Sequence, residues 1–441
     1  MPETYLGSDD TINIASLKWK QFFNDSNLIA LIDSALQNNQ ELNIVKQEIE
    51  ISKNEVMARK GEYLPFVNLY KGLGIEKPAR YTFNGAVEKS LEPNTDLALP
   101  RPLKDFATSA NATWEIDIWE KLRNAKKAAV KKYLASMESK NFLITNLIAE
   151  IAYSYYELIA YDNLLEIIEK NIQIQSNALK VVMQEKESAK VSQLAVNRFE
   201  AQLLNTKNLQ YAIKQKIVET ENRLNNLTGR FPDKIGRKSD VFLSLKIDSL
   251  LFGVPSQLLT NRPDIKRAEL ELQAAKLDVK VARANFYPRL GITATTGFKA
   301  FNPVFLTNPE SVTYNLAGDL VAPFINRNAI RAAYNTAKAK ELQAIYNYER
   351  TLINAYTDVL NQVYKINNYA NSYETKNREV EILTQSVDIA GKLFYSARAD
   401  YAEVLLTQRE SLNAKMELIE IKMQLLNAKV NIYRALGGGW Q

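Results

Sequence analysis

Residues 158–182 read LIAYDNLLEIIEKNIQIQSNALKVV, and this stretch decides the fold class. Its seam positions alternate spacings of three and four, which is the pattern of a coiled coil. They are Leu158, Tyr161, Leu165, Ile168, Ile172, Gln175, Leu179 and Val182. A second seam has the same spacing, at Leu412, Met416, Ile419, Met423, Leu426, Val430 and Tyr433. Both seams predict long helices that pack side by side.

The surrounding sequence lacks helix breakers over two long stretches. Neither proline nor glycine occurs from Glu120 to Thr228, and Gly391 is the one exception from Phe324 to Leu436. We therefore expect long helices over residues 120–187, 193–228, 325–396 and 401–436. A helix of about 65 residues would be roughly 100 Å long, which is rare in compact enzymes.

Four other segments alternate apolar and polar residues as β-strands do. We predict strands at about residues 65–76, 106–119, 288–300 and 312–322. Each has roughly the length that a tilted membrane strand needs. A half-buried soluble sheet gives the same alternation, so both interpretations stay open at this point. Lys71 interrupts one apolar face and must either extend its amine to water or lie near a sheet edge.

The chain contains two copies of one plan, residues 24–229 and 253–436. Each runs helix, strand, strand, long helix, turn, long helix, with the first helix of the second copy at 256–286. Pro65 and Pro288 mark equivalent breaks between helix and strand. Residues 1–23, 230–252 and 437–441 lie outside the copies. Four strands are too few to close around a pore, so their edges must pair with other copies of the chain, and three copies would supply twelve strands.

Composition excludes several classes of function. The chain has no cysteine and no histidine, so thiol chemistry, Cys or His zinc sites and imidazole bases are ruled out. A glycosidase would need paired carboxylates, and Asp264, Glu269 and Glu271 lie on an ordinary amphipathic helix. We expect no catalytic residue, no metal and no cofactor. The net charge of +6 and the cluster Lys126, Lys127, Lys131 and Lys132 fit a solvated surface, with no nucleic acid as partner.

Several motifs resemble the TolC outer-membrane factor family, in particular its OprM-like multidrug-efflux branch. The most specific is residues 254–265, VPSQLLTNRPDI, with Pro255, Arg262, Pro263 and Asp264. Residues 114–119, WEIDIW, the pair Tyr287-Pro288 and the ending ALGGGW at 435–440 also match. The resemblance covers nearly the whole chain. Arg262-Pro263-Asp264 is explained as a helix start, because proline and an acidic residue both suit the first turn.

The resemblance implies a mainly α homotrimer with a membrane β-barrel portion. Long antiparallel coiled-coil helices would form an α-helical barrel in the periplasm, below a trimeric twelve-stranded barrel in outer-membrane lipid. An equatorial belt would contain residues 1–23, 230–252 and the C-terminal tail. The partners would be a periplasmic adaptor protein and an inner-membrane RND pump, in the outer membrane of a Gram-negative bacterium. We expect the signal peptide, and any lipidated cysteine, upstream of Met1.

The implied function is a passive exit duct of a tripartite efflux system, exporting small molecules such as drugs. Exit ducts of metal-efflux or type I secretion systems are alternatives within the same family. A soluble coiled-coil adaptor or scaffold is an alternative outside it. Such a scaffold explains the helical seams, but it does not explain strand-length alternation placed symmetrically in two repeats.

The resemblance also assigns candidate functional residues at the ends of the long helices. A periplasmic gate is expected at Asp400, Glu403 and Leu406, where rings of three carboxylates would attract cations. Glu403 could instead pair with a lysine or arginine on a neighbouring helix. Adaptor contacts are expected at two helix–helix turns. They comprise Ser188, Ala189, Lys190, Val191 and Ser192 in the first turn, and Ser396, Ala397, Arg398 and Ala399 in the second.

Overall fold

Helices dominate the computed structural model, which describes residues 2, 4–5, 13–90, 102–245, 252–396 and 398–440. In these ranges the α-helices are α1 Trp19–Phe22, α2 Ser26–Asn38, α3 Gln40–Glu62, α4 Phe83–Ser90, α5 Lys121–Glu187, α6 Gln193–Leu227, α7 Leu258–Asn261, α8 Pro263–Ala284, α9 Asn328–Tyr395 and α10 Tyr401–Ala435. The strands are β1 Phe66–Glu76, β2 Leu103–Ile116, β3 Arg289–Ala300 and β4 Val312–Val321. Across the described ranges, no helix combines the length and the apolar composition that crossing a membrane requires.

The chain forms two compact units. The helical unit comprises Met1–Glu48, Ser136–Ala268 and Tyr348–Gln441, and the sheet unit comprises Ile49–Ala135 and Glu269–Asn347. Each unit draws residues from both predicted copies, so the division in space differs from the division along the sequence.

The core of the helical unit follows the two predicted seams. Leu158, Ile168 and Val182 in α5 are at most 1% exposed, and the intervening seam positions are half-buried or buried. In α10, Leu412, Ile419, Leu426 and Tyr433 are at most 3% exposed. Side chains from α2, α5, α6 and α10 meet in the largest apolar cluster. The spacing of three and four therefore directs one stripe of each long helix into the core.

Helices α6 and α10 end in the same way. Gly229 and Gly437 follow them with φ of +69° and +90°, a left-handed conformation that glycine adopts at little cost. The next N–H groups, of Arg230 and Gly438, each donate 3.0 Å hydrogen bonds to the carbonyls of Asn225 and Tyr433. Otherwise orphaned carbonyls at both helix ends are thereby satisfied.

The predicted helix 256–286 is wrong as one continuous element. A 3₁₀ turn, Pro255–Gln257, leads into α7, and Arg262 then separates α7 from α8. Arg262 has extended backbone angles of φ −88° and ψ 117°. The cause is Pro263, because a proline ring disfavours helical geometry at the residue before it.

The sheet unit contains a four-stranded antiparallel sheet in the order β1-β2-β3-β4. Its register places the alternating apolar residues that the sequence predicts in the four strands on one face; for example, Leu73 pairs with Phe106 and Ala294 pairs with Leu316. Strand β2 begins at Leu103 and ends at Ile116, short of the predicted residue 119. The strand ends there because Asp117 turns inward and accepts hydrogen bonds from the N–H groups that start α5. Lys71 lies on the apolar face, on the edge strand β1.

Candidate functional site

The two helix–helix turns lie side by side in the helical unit. A small apolar cluster links them, formed by Val182, Ala195, Val196 and Phe199 near the first turn. Phe394, Tyr401 and Leu405, from the helices that flank the second turn, pack against it. The predicted contact residues of both turns are therefore presented together.

The first turn is exposed and tightly hydrogen-bonded. Ala189 has a φ of +54°, and the Lys190 N–H donates to the carbonyl of Glu185 at 2.9 Å. Ser188 donates its hydroxyl to the carbonyl of Gln184 at 3.1 Å. Ser192 precedes α6, and Val191 is half-buried against the small cluster. Lys190 is exposed to solvent at this turn.

The second turn shares one backbone hydrogen bond with the first. The Arg398 N–H donates to the carbonyl of Leu393 at 2.9 Å, across the same number of residues as the bond from Lys190 to Glu185. Ser396 and Arg398 are exposed, and Ala399 is half-buried. Ala397, another predicted contact residue, lies outside the described residues.

The three predicted gate residues form one exposed stripe at the start of α10. Asp400 precedes the helix in an extended conformation, and its carbonyl accepts the Glu403 N–H at 3.2 Å. Asp400 and Glu403 are exposed, and Leu406 is 46% exposed. Residues three apart share a helix face, so the stripe lies away from the core-facing residues. Glu403 has no ion pair among the described residues, which leaves its carboxylate available to solvent.

The family motif at Arg262 forms a buried junction. Arg262 donates to both carboxylate oxygens of Asp264, at 3.0 and 2.6 Å, and to the carbonyl of Ala435 at 3.0 Å. Its side chain is 8% exposed. Pro255 is buried, and Pro263 begins α8. These contacts support the structural interpretation of the motif, because they join the start of α8 to the end of α10.

Asn39 makes the corresponding contact in the first half of the chain, and sequence reasoning missed it. Its Nδ2 donates to the carbonyl of Leu227, the last residue of α6, at 2.9 Å. Its Oδ1 accepts the Leu42 N–H at 2.9 Å at the start of α3. An asparagine just before a helix is a known N-cap signal, so this position could have been recognised.

Charged residues also attach residues 230–245 to the long helices. Arg237 donates to Asp162 at 2.5 and 2.9 Å and also bonds to Glu221. Lys422 in α10 is 5% exposed and donates to the carbonyl of Leu245 at 2.5 Å. Burial lowers the pKa of the Lys422 amine from its usual value. No group of three or more metal-ligating side chains within the described residues is placed to hold a metal ion.

Comparison with known proteins agrees with this architecture. The family model described as "Outer membrane efflux protein" matches residues 31–230 and 254–438. The chain is 26% identical over 443 residues to the solvent efflux pump outer membrane protein SrpC of Pseudomonas putida, covering 100% of this chain and 91% of SrpC. It is 24% identical over 431 residues to the cation efflux system protein CusC of Escherichia coli K12, covering 97% and 90%.

Solved structures share the fold. The MtrE outer membrane channel of Neisseria gonorrhoeae superposes with a TM-score of 0.86 at 20% identity, covering 100% of this chain and 96% of MtrE. The outer membrane protein VceC of Vibrio cholerae gives 0.85 at 20% identity, covering 96% and 99%. Since the family model matches most of the sequence, the chain belongs to the outer membrane efflux protein family, a family of channel-type proteins and not of enzymes.

Proposed function

We propose that three copies of the chain form the exit duct of a tripartite efflux system, a passive conduit for small molecules such as drugs. The observation that carries the proposal is a sheet with one exposed apolar face and two long edge strands that, in the part of the chain that the structure describes, each pair on one side only. The family supports the outer-membrane location and the efflux role. The relatives SrpC and CusC are named for solvent and cation efflux, so cation efflux, which includes the metal-efflux alternative, is the second cargo class.

The apolar face of the sheet fits a lipid environment. Leu69 and Leu73 in β1 are 87% and 70% exposed, and Leu316 and Leu320 in β4 are 77% and 67% exposed. A patch of this kind is unusual on a protein surrounded by water. The opposite face carries polar contacts, including a 2.9 Å hydrogen bond between Thr295 and Asn111. A sheet apolar on one side and polar on the other is what a membrane barrel with an aqueous interior requires.

The edges of the sheet argue for three copies. Among the described residues, β1 and β4 each pair on one side only, although they contain 11 and 10 residues. Long apolar edges of this kind favour pairing with another strand. Because the order is antiparallel throughout, β4 of one copy can join β1 of the next, and three copies close a ring of twelve strands.

Three further features belong to the proposal. The copies 24–229 and 253–436 are two structural repeats, which is supported by the separate matches of the family model and by α6 and α10 each having 35 residues. Segments 1–23, 230–252 and 437–441 form an equatorial belt; Leu17 and Leu245 contribute contacts of this belt by accepting hydrogen bonds from α10. The two turns receive a periplasmic adaptor, which in turn binds an inner-membrane pump.

The periplasmic gate is the last element of the proposal. Asp400, Glu403 and Leu406 share one exposed stripe on each copy, and a trimer would bring three stripes around one axis. Rings of carboxylates would favour cations, and Leu406, one turn further along α10, would add an apolar constriction beside them.

The experiment is purification of the full-length protein from bacterial envelopes in mild detergent. We expect a particle containing three chains of 50.1 kDa each, conductance after insertion into planar bilayers, and copurification of an adaptor. A water-soluble monomer that leaves the membrane in alkaline carbonate and conducts no ions would contradict the proposal and favour the scaffold.

A further inference from the structure

We infer that β1 of one copy pairs with β4 of the next in one defined register, with Leu73 opposite Gly318 and Ile75 opposite Leu316. This inference rests on the proposed trimer. It adds to it the pairing of individual residues across the junction between subunits.

The first step relates β1 to β3. Asn39 immediately precedes α3 and Arg262 immediately precedes α8, and each bonds to the last residue of the corresponding long helix. Pro65 and Pro288 immediately precede β1 and β3, at the same separation in sequence as Asn39 and Arg262. The start of the helix and the start of the strand are therefore shifted by the same number of residues between the first and the second half of the chain. Under this offset Leu69 corresponds to Ile292, and Leu73 corresponds to Thr296.

The second step relates β2 to β4 through the observed pairing. Leu69 pairs with Ala110 across β1 and β2, and Ile292 pairs with Gly318 across β3 and β4. Ala110 therefore corresponds to Gly318. Gly318 follows Ala110 by a certain number of residues in the sequence. The first residue of α10 follows the first residue of α6 by the same number, and so do the last residues of the two helices. Helices and strands thus agree on one alignment of the two halves.

The third step uses the junction between β2 and β3 as a template for the junction between copies. Since β1 is equivalent to β3 and β2 is equivalent to β4, the junction between β4 of one copy and β1 of the next is equivalent to the junction between β2 and β3 within one copy. Ala110 pairs with Thr296 in this template, which translates to Gly318 opposite Leu73. Thr108 pairs with Phe298, which translates to Leu316 opposite Ile75.

The derived register satisfies an independent requirement, because a slip of one residue would turn every side chain of β1 to the other face. Leu73 and Ile75 lie on the apolar face of β1, and Gly318 and Leu316 lie on the apolar face of β4. The Leu73 side chain is 70% exposed, and Gly318 offers space beside it, since a Cβ placed there would come no nearer than 3.9 Å to the described atoms. A large side chain opposite a missing one is good packing at a strand junction.

Cysteine pairs test the register directly, because the chain has no cysteine of its own. The double variants Leu73→Cys/Gly318→Cys and Ile75→Cys/Leu316→Cys represent the two derived pairs. Leu73→Cys/Leu316→Cys and Leu73→Cys/Leu320→Cys are matched controls on the same face, displaced by two residues. After mild oxidation of the protein in its membrane, we expect about fivefold more covalent trimer for the derived pairs, since diagonal positions exceed the roughly 7 Å that a disulfide can bridge.

The outcomes separate this inference from the proposed function. Preferential cross-linking of a displaced control would overturn the register, and so would failure of both derived pairs in protein that remains trimeric and conducting. If the unmodified protein were instead monomeric and non-conducting, the proposed function would fail first. Single-cysteine variants should give no disulfide-linked dimer or trimer. Cross-linking of a single-cysteine variant would also contradict the register.

Discussion

Arg262 and Ala435 are joined by a 3.0 Å hydrogen bond, from a buried guanidinium to the carbonyl of the last residue of α10. Asn39 forms the equivalent link to Leu227 at the end of α6. The last turn of a helix leaves carbonyl groups without partners inside the helix, and at both places a side chain from another helix start supplies the donor. The two halves of the chain thus satisfy the last carbonyl of a long helix with different side chains, an arginine in one half and an asparagine in the other.

Arg262→Ala should destabilise the helical unit by about 3 kcal/mol, because it leaves Asp264 without its partner at a buried site and the Ala435 carbonyl without its donor. The measurement is denaturant unfolding of the purified protein, followed by helical circular dichroism. Arg409→Ala, at an exposed position of α10, is the matched control and should change stability by no more than about 0.5 kcal/mol. Equal effects of the two variants would contradict a structural role for Arg262.

Two glycines should respond to alanine in opposite directions. Gly437 has a φ of +90°, and a Cβ there would press on the backbone of Asn261, so Gly437→Ala should destabilise by about 2 kcal/mol or more. Gly391 lies inside α9, and no described atom beyond its chain neighbours and the adjoining helix backbone lies within 4 Å of an added Cβ, so Gly391→Ala should stabilise by roughly 0.5–1 kcal/mol. Thermal unfolding of both variants tests the pair. A stabilising Gly437→Ala would show that the close approach between α10 and Asn261 is absent.

The long helices and the four strands could be predicted because their signals are local and periodic. A seam such as Leu158 to Val182 needs no knowledge of its partner helix. The contacts of Lys422 with Leu245 and of Arg237 with Asp162 could not be predicted, because the partners are distant in sequence and carry no pattern. The end of β2 was misplaced for a similar reason: the inward turn of Asp117 depends on helix N–H groups further along the chain.

For the candidate site, sequence placed the two turns but not their proximity. The tight turn at Ala189 depends on a positive φ that alanine rarely adopts, so the backbone conformation of this turn could not be predicted from the residue type. The small cluster of Val182 and Phe199 with Phe394 and Tyr401 brings residues together from both halves of the chain. Repeats in the sequence indicate equivalent elements, and only the folded chain shows which equivalent elements touch.

Tyr433 should make stability fall with rising pH in alkaline solution. Burial raises its pKa to about 12, and its hydroxyl donates to the carbonyl of Leu17 at 2.6 Å. Below pH 10 the phenol is neutral in both folded and unfolded chains. Between pH 10 and about 12 the unfolded chain loses the proton while the folded chain keeps it, so the free energy of unfolding decreases.

Tyr433→Phe should therefore lower stability by about 1 kcal/mol at neutral pH, through the lost hydrogen bond, and should make the alkaline decline shallower. The measurement is the free energy of unfolding at a series of pH values from neutral to alkaline. Part of the alkaline decrease in the free energy of unfolding should remain in this variant, because burial also raises the pKa of other tyrosines such as Tyr155. Tyr211→Phe, at a 69% exposed position, is the control and should leave the profile unchanged. An unchanged slope in Tyr433→Phe would contradict the assignment.

Glu403→Lys should reduce or reverse the preference of the channel for cations. In the proposed trimer the substitution replaces a ring of three carboxylates with three amines at the start of α10, next to the ring formed by Asp400. A change of about 1 kcal/mol in the energy of each ion, unfavourable for the cation and favourable for the anion, is reasonable for charges a few ångströms from a hydrated ion and corresponds to roughly a thirtyfold change in the ratio of cation to anion permeability. Reversal potentials in planar bilayers under a salt gradient measure that ratio. Glu200→Lys makes the same charge change at an exposed position of α6 near the first turn and should alter the ratio much less. If the two variants shift the reversal potential equally, the effect comes from the overall charge of the protein, and the stripe of Asp400, Glu403 and Leu406 does not line the narrowest part of the path.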